Sequence, residues 1–401
     1  MTRVRVLTLN AALGPLDYRL PHGMEAGPGS IVVAPLGPRQ IVGVVWEDDA
    51  FPGTEAVGDN RLRPLVAVVD AAPLPEPLRR LIEWTADYYL APPAAVLRMA
   101  LSSISALEGA RAVIEYRATG REPTRATTQR TQALERIGDR QGLVRELAMI
   151  GGVSDAVIRG LVKDGAMEAV EVRMDTPFPV PDAAFSPVAM AKEQEAAAAR
   201  LVELVHAAAF QPLLLDGVTG SGKTEVYFEA IAQALAMDRQ SLVLLPEIAL
   251  TEPFLNRFAR RFGCEPVAWH SGLRQSERRR AWRAIADGSA KVVVGARSAL
   301  FLPFKNLGLI IVDEEHEQAF KQEDGVVYQA RDMSVVRGHL AQIPVVLASA
   351  TPSLETMQNV ETERYRFLHL PDRHGIAQLP EVRLVDMRRT PPPKQSWLSP
   401  P

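Results

Sequence analysis

Residues Gly217-Val218-Thr219-Gly220-Ser221-Gly222-Lys223-Thr224 follow the spacing G-x-x-x-x-G-K-[ST]. No other stretch restricts the fold as strongly. The run Pro212-Leu213-Leu214-Leu215-Asp216 before it reads as a buried strand, and Glu225 to Ile231 after it has helical periodicity. Strand, glycine loop and helix together form the context in which backbone N–H groups turn toward one anion at a helix N-terminus. Gly217, Thr219, Gly220, Ser221, Gly222, Lys223 and Thr224 are therefore the expected cradle for a nucleoside triphosphate. Lys223 would reach the β- and γ-phosphates, and Thr224 would offer its hydroxyl to Mg²⁺.

The rest of the chain determines what surrounds that loop. With 401 residues, 47% of them hydrophobic, it can build several cores without disulfides. The single cysteine, Cys264, excludes an intrachain disulfide and a cysteine-only zinc site, and fits a reducing cytoplasm. A net charge of −3 excludes a uniformly basic coat but leaves room for local basic patches. No apolar run approaches the ~20 residues of a membrane span, and Met1 to Leu7 alternates like a strand rather than forming a signal-peptide core.

Residues 1–104 read as a β-rich domain closed by a helix over 76–90. Its strands include 3–9, 30–37, 40–46 and 65–69, with a tight turn at Gly37-Pro38. Residues 105–175 carry three short helical patterns, over 128–137, over 143–150, and from a Ser154 cap to Gly165. Ala166 to Met174 reads as a strand of a hairpin that follows, which together suggests a winged helix. Thr176 to Pro181 holds three prolines and reads, over 176–184, as a linker. Over 185–389 short apolar strands alternate with helices, the signature of a parallel sheet covered on both faces. Residues 390–401 lack periodicity and read as a linker cut short.

A second acidic signal completes a nucleotide site. The apolar strand Leu307–Val312 runs into Asp313-Glu314-Glu315-His316. An acid at the carboxyl end of a neighbouring parallel strand can hold the water shell of Mg²⁺. We assign Asp313 to the metal and Glu314 to the attacking water. Ser349-Ala350-Thr351 ends the strand 345–348, where the Ser349 and Thr351 hydroxyls can bond to Glu315 and His316 and report nucleotide state. Gln194 lies upstream. Its amide can read both edges of adenine, or it is a plain surface residue of a helix.

The order and wording of these segments resemble motifs I, II and III of superfamily 2 helicases. Leu245-Pro246-Glu247-Ile248-Ala249-Leu250-Thr251, His270-Ser271-Gly272-Leu273, Gly295-Ala296-Arg297-Ser298 and Asp313-Glu314-Glu315-His316 together look like the replication-restart helicase family PriA. Asp17-Tyr18 with Leu20-Pro21, the Leu36-Gly37 turn and Ala86-Asp87-Tyr88-Tyr89 resemble that family's DNA 3′-end-binding domain. The resemblance implies a 3′-end-binding domain, a winged helix and one RecA-like helicase lobe. The implied activity is ATP- and Mg²⁺-dependent 3′→5′ unwinding at stalled forks and D-loops. The implied partners are single-stranded DNA, other primosome proteins and single-strand binding protein, with no membrane. The family's second lobe, its arginine fingers and its zinc-binding cysteines have no counterpart here. This predicts a chain that binds ATP and DNA but hydrolyses ATP poorly and holds no zinc. A non-catalytic fork-binding adaptor is the rival reading. A transporter or signalling ATPase disagrees with the acidic motif's wording.

For DNA, Asp17 is the expected acceptor for a terminal 3′-hydroxyl, with Gly37 allowing close backbone approach. Leu16 stands where the family pattern leads one to expect an aromatic. Thr251 and Arg297 sit at strand ends expected to grip a single strand, with a solvated surface arginine as the rival reading of Arg297. Phe320 and Tyr328 either stack on bases, with Lys321 and Arg331 on phosphate, or belong to the lobe core. The run Arg278-Arg279-Arg280 with Arg283 is either a DNA contact or a solvated helix face.

Overall fold

The computed structural model describes residues 2–47, 51, 58–101, 112–123, 127–173, 176–246 and 252–372. The first unit is an antiparallel sheet of β1 (Thr2–Thr8), β2 (Leu16–Leu20), β3 (Ile31–Leu36), β4 (Arg39–Trp46) and β5 (Ala67–Val68), in the order β2-β1-β4-β3-β5. The β3–β4 hairpin pairs Leu36 with Arg39, and Gly37 makes the turn at φ +58°. Helix α1 (Glu76–Tyr88) buries Leu78, Leu81, Ile82, Thr85 and Ala86, one face at helical spacing, and α2 (Pro93–Ala100) follows it.

The second unit has β6 (Ala112–Ala118), α3 (Thr128–Ile137), α4 (Val144–Gly151), α5 (Asp155–Lys163) and β7 (Met167–Arg173). The sequence suggested that β7 pairs with a following strand. Instead it pairs antiparallel with β6, which precedes the helices. Ile114, Tyr116 and Ala118 of β6 alternate with Glu115 and Arg117, so the strand signal for the partner lies before the helices rather than after them.

The third unit begins with α6 (Lys192–Ala207), β8 (Pro212–Gly217), α7 (Lys223–Ala236), β9 (Gln240–Leu244) and α8 (Glu252–Phe262). It continues through β10 (Val267–Trp269), α9 (Gln275–Asp287), β11 (Val292–Gly295) and β12 (Leu307–Asp313). A small hairpin of β13 (Lys321–Gln322) and β14 (Tyr328–Gln329) then leads into α10 (Ala330–Ala341), β15 (Val345–Ser349), α11 (Leu354–Glu361) and β16 (Arg366–Leu370). Seven strands pair in the order β10-β11-β9-β12-β15-β8-β16, every pair parallel. Leu214, Leu242, Leu244, Ile310, Val312 and Leu347 feed one core, while Leu213, Leu215, Val243, Ile311 and Val346 feed the other. That alternation is what a sheet covered on both faces requires. The parallel α/β lobe and the β-rich N-terminal region agree with the sequence reading.

The N-terminal unit is packed onto this lobe. The buried Trp282 Nε1 of α9 donates to Ala100 O at 2.8 Å, and one continuous apolar cluster runs from Leu78 and Leu97 to Trp282 and Leu300. The proline-rich stretch is also tied down. Arg280 Nε donates to Thr176 O at 2.6 Å, and its guanidinium lies 3.8 Å from the Phe178 ring centroid. Arg278 Nη2 donates to Ser271 O at 2.8 Å. Within the arginine run, these two side chains brace loops of the protein itself, an outcome that neither reading of the run anticipated.

Candidate nucleotide-binding site

The loop between β8 and α7 encloses a cleft of about 390 Å³. Its lining includes Gln194, Thr219, Gly220, Ser221, Gly222, Lys223, Thr224, Arg257, Asp313 and Glu314. Gly220 and Gly222 adopt φ +84° and +83°, in the left-handed region where only glycine is unstrained. A side chain at Gly222 would also run into the Gln194 amide, so two constraints coincide there. At Gly217, a Cβ would lie 2.6 Å from Ser221 Oγ and 2.9 Å from Leu370 Cβ, which pins the loop against β16.

Lys223 is 8% exposed and donates Nζ to Gly217 O at 2.6 Å. Ser221 Oγ is buried with no hydrogen-bond partner. An ammonium resting on a backbone carbonyl and an orphaned hydroxyl, inside a glycine nest at a helix N-terminus, fit an incoming polyphosphate. Gln194 lines the cleft, but its amide is used within the protein. Nε2 donates to Ser221 O at 2.8 Å and Oε1 accepts from Ala191 N at 2.8 Å. Here it ties α6 to the loop with one N–H and one carbonyl lone pair of the amide. At 5% exposure it is not a surface residue.

Sheet order brings the acidic motif to the loop. β15 lies between β8 and β12, and Asp313 at the end of β12 lines the same cleft as Thr224. Asp313 Oδ2 accepts from the Tyr227 hydroxyl at 2.8 Å, and Oδ1 accepts from Glu314 N at 3.0 Å. Burial raises the Asp313 carboxyl to about 6, ahead of the opposing Tyr227 hydrogen bond and the repulsion of Glu314. Burial, followed by the Asp313 charge, pushes the Tyr227 phenol well up. In the folded metal-free chain Asp313 keeps its proton until about pH 6, but in the unfolded chain only until about 4. This group therefore favours folding below about pH 4, and the benefit disappears as pH rises through 6. The expected cost by pH 7 is on the order of 2–3 kcal/mol. Unfolding curves from pH 4 to 7 should show it, and Asp313→Asn should flatten that dependence. An unchanged profile would contradict it.

Glu314 sits at φ +51°, rare for a residue with a side chain and typical of functional turns. The next acid differs sharply. Glu315 is fully buried and accepts from Ser353 N at 2.7 Å, Thr356 Oγ1 at 3.0 Å, Ser353 Oγ at 3.1 Å and Arg331 Nη1 at 3.3 Å. It joins the acidic motif to the start of α11. His316 Nδ1 lies 2.7 Å from Ser349 Oγ, which also accepts from Thr351 N at 3.0 Å.

Several expected DNA contacts are corrected. Phe320 and Tyr328 are each 1% exposed, and Tyr328 packs edge-on to Phe301. Both belong to the core, because the β13–β14 hairpin folds back onto the lobe. Arg331 is 7% exposed and held by Glu315, Ser353 and Asp332, so it does not face a phosphate. Lys321 is exposed beside Glu323 at 3.2 Å. Arg297 donates to Lys321 O at 2.8 Å and to Ala319 O at 3.2 Å, which fixes this loop. Thr251 lies outside the described residues.

In the N-terminal unit, Gly37 lines a cleft of about 320 Å³ with Arg39, Gln40, Arg63 and Pro64, and Arg63 Nη1 donates to Gly37 O at 2.9 Å. Asp17 is not in that lining. Its side chain is 5% exposed and pairs with Arg5 at 3.4 Å and Arg3 at 3.8 Å across β1–β2. Residues that the sequence reading missed are Tyr227, Arg257 and Arg63. Tyr227 stands three residues after Thr224 on one helix face, a spacing that would have marked it.

Comparison with known proteins extends these observations. Residues 193–360 match the DEAD/DEAH box helicase family, and residues 5–102 match a 3'DNA-binding domain (3'BD). A replication restart protein PriA from Rickettsia conorii is 33% identical over 100% of this chain and 50% of its own length. One from Bacillus subtilis is 42% identical over 61% of this chain and 30% of its own. Among solved structures, the Hef helicase domain of Pyrococcus furiosus aligns with a TM-score of 0.35 at 21% identity, over 44% of this chain and 37% of that one. The chain spans about half the length of the first curated relatives it matches. With a 3′-DNA-binding domain packed against a helicase lobe and similarity that runs its full length, this chain belongs to the replication restart protein PriA family.

Proposed function

We propose that the chain binds ATP with Mg²⁺ at the β8–α7 cleft and binds branched DNA bearing a 3′ end through its N-terminal unit. It would serve as the nucleotide-binding part of a 3′→5′ replication-restart helicase that helps assemble a primosome. The observation that carries this reading is the convergence of Lys223, Thr224, Asp313 and Glu314 on one cleft. Bound Mg²⁺ would neutralise phosphate charge. Thr224 and Asp313 would hold its ligand shell, Lys223 would leave Gly217 O for phosphate oxygens, and Glu314 would orient the attacking water.

Among the described residues the arginine lining this cleft is Arg257, which is 3.4 Å from Glu225. An arginine placed on the transferring phosphate is worth roughly 10³–10⁵ in rate. The 401-residue chain by itself should therefore bind ATP yet show little DNA-stimulated hydrolysis and no unwinding. Robust unwinding by the purified chain would contradict this. For the N-terminal unit, forks with a free 3′-hydroxyl at the junction should bind more tightly than forks with a blocked one. Asp17→Ala should remove the difference, and equal binding in all arms would end the end-recognition reading.

A further inference from the structure

The two side chains assigned to the metal come from different elements. Thr224 lies in the first turn of α7, and Asp313 ends β12, with β15 between β12 and the strand that leads into α7. Nothing local holds them in register. Tyr227 spans the gap. It is 0% exposed, and its hydroxyl donates to Asp313 Oδ2 at 2.8 Å. Thr224 precedes Tyr227 by three residues on the same helix face, and its side chain offsets part of the upward pull on the phenol. One phenol thus bonds to one of the two and shares a helix face with the other.

The donor order has a chemical consequence. A threonine hydroxyl meets a cation through its oxygen lone pairs, so its proton needs an acceptor elsewhere. The phenol proton is already committed to Asp313, which leaves the phenol oxygen available as an acceptor on the helix face that carries Thr224. A carboxylate held by the phenol on one oxygen and by Glu314 N on the other has little freedom to rotate away. Hydrogen-bond partners behind a ligand orient it in this manner, and losing one costs about 10- to 100-fold in metal affinity.

We propose that Tyr227 is a positioning residue for the magnesium site, holding Thr224 and Asp313 ready for Mg²⁺–nucleotide. The proposal rests on the cleft being a nucleotide site, and its test separates the two. Tyr227→Phe removes one hydroxyl and keeps the ring beside Phe228. Affinity of the full chain for a fluorescent ATP analogue is measured across a Mg²⁺ titration and again in EDTA, with thermal unfolding followed on the same samples. The expected result is that half-saturation needs about 10-fold or more extra Mg²⁺, while affinity in EDTA and the unfolding curve stay close to those of the unmodified chain. An unchanged Mg²⁺ dependence would overturn the proposal. So would an equal loss with and without the metal, or a collapse of the fold, because each makes the phenol ordinary core. An unmodified chain that binds no analogue would instead sink the nucleotide reading, and this proposal with it.

Discussion

Lys223→Ala is expected to weaken ATP binding by about 10²- to 10³-fold with little change in folding. The ammonium is 8% exposed at the floor of the cleft, and its partner inside the protein is the carbonyl of Gly217. That contact is a resting place, since a polyphosphate offers the same donor a charged acceptor. Removing one member of a desolvated, hydrogen-bonded charge pair costs about 3–5 kcal/mol, and each 1.4 kcal/mol is about tenfold in affinity. Loss of the lysine also removes a buried charge from the free chain, so stability should hold. Titration calorimetry with a non-hydrolysable analogue checks the first part, and a urea melt checks the second. Comparable affinity in the variant and the unmodified chain would remove the phosphate assignment.

Glu315→Ala should act on folding instead, destabilising the chain by about 3–5 kcal/mol. Although it is a neighbour of Glu314 in sequence, it points away from the cleft lining. It is fully buried and bound by Ser353 N, Ser353 Oγ, Thr356 Oγ1 and Arg331 Nη1. Truncation leaves Arg331, 7% exposed, without its most buried partner, and leaves the N-terminal turn of α11 with an unpaired N–H. The turn after the acidic motif and the start of α11 should loosen together. Denaturant unfolding measures the loss. A change below about 1 kcal/mol, the usual range for exposed pairs, would show that this cluster behaves like a surface ion pair.

The contrast between these two residues shows how much of the site was legible. Lys223 was readable because its role follows from a spacing of eight residues flanked by a strand and a helix. Asp313 was readable because an acid ending an apolar strand has few other reasons to be there. Glu315 is another acid two positions on, yet its task depends on Ser353 and Thr356, about forty residues later. The aromatic residues misled for a related reason. Phe320 and Tyr328 look alike as base-stacking candidates and as core residues, and only the fold of β13–β14 against the lobe makes them core. The arginine run is similar. Arg280 reaches back over 100 residues to Thr176 and Phe178, a contact that no local pattern announces.

Local order in the chain was enough to determine the phosphate loop, the parallel alternation of the lobe, the β-rich beginning and the family they belong to. These depend on φ freedom at glycines, helical and strand periodicity, and short-range polarity, all of which are properties of neighbouring residues. The tertiary structure alone decided which polar side chains face the cleft and which are spent inside the protein. It turned Gln194 toward Ser221 and Arg331 toward Glu315, and it joined Tyr227 to Asp313. The physical reason is desolvation. A buried polar group must find a partner wherever the fold brings one, and partners 10 to 40 or more residues away are chosen by packing, not by sequence spacing.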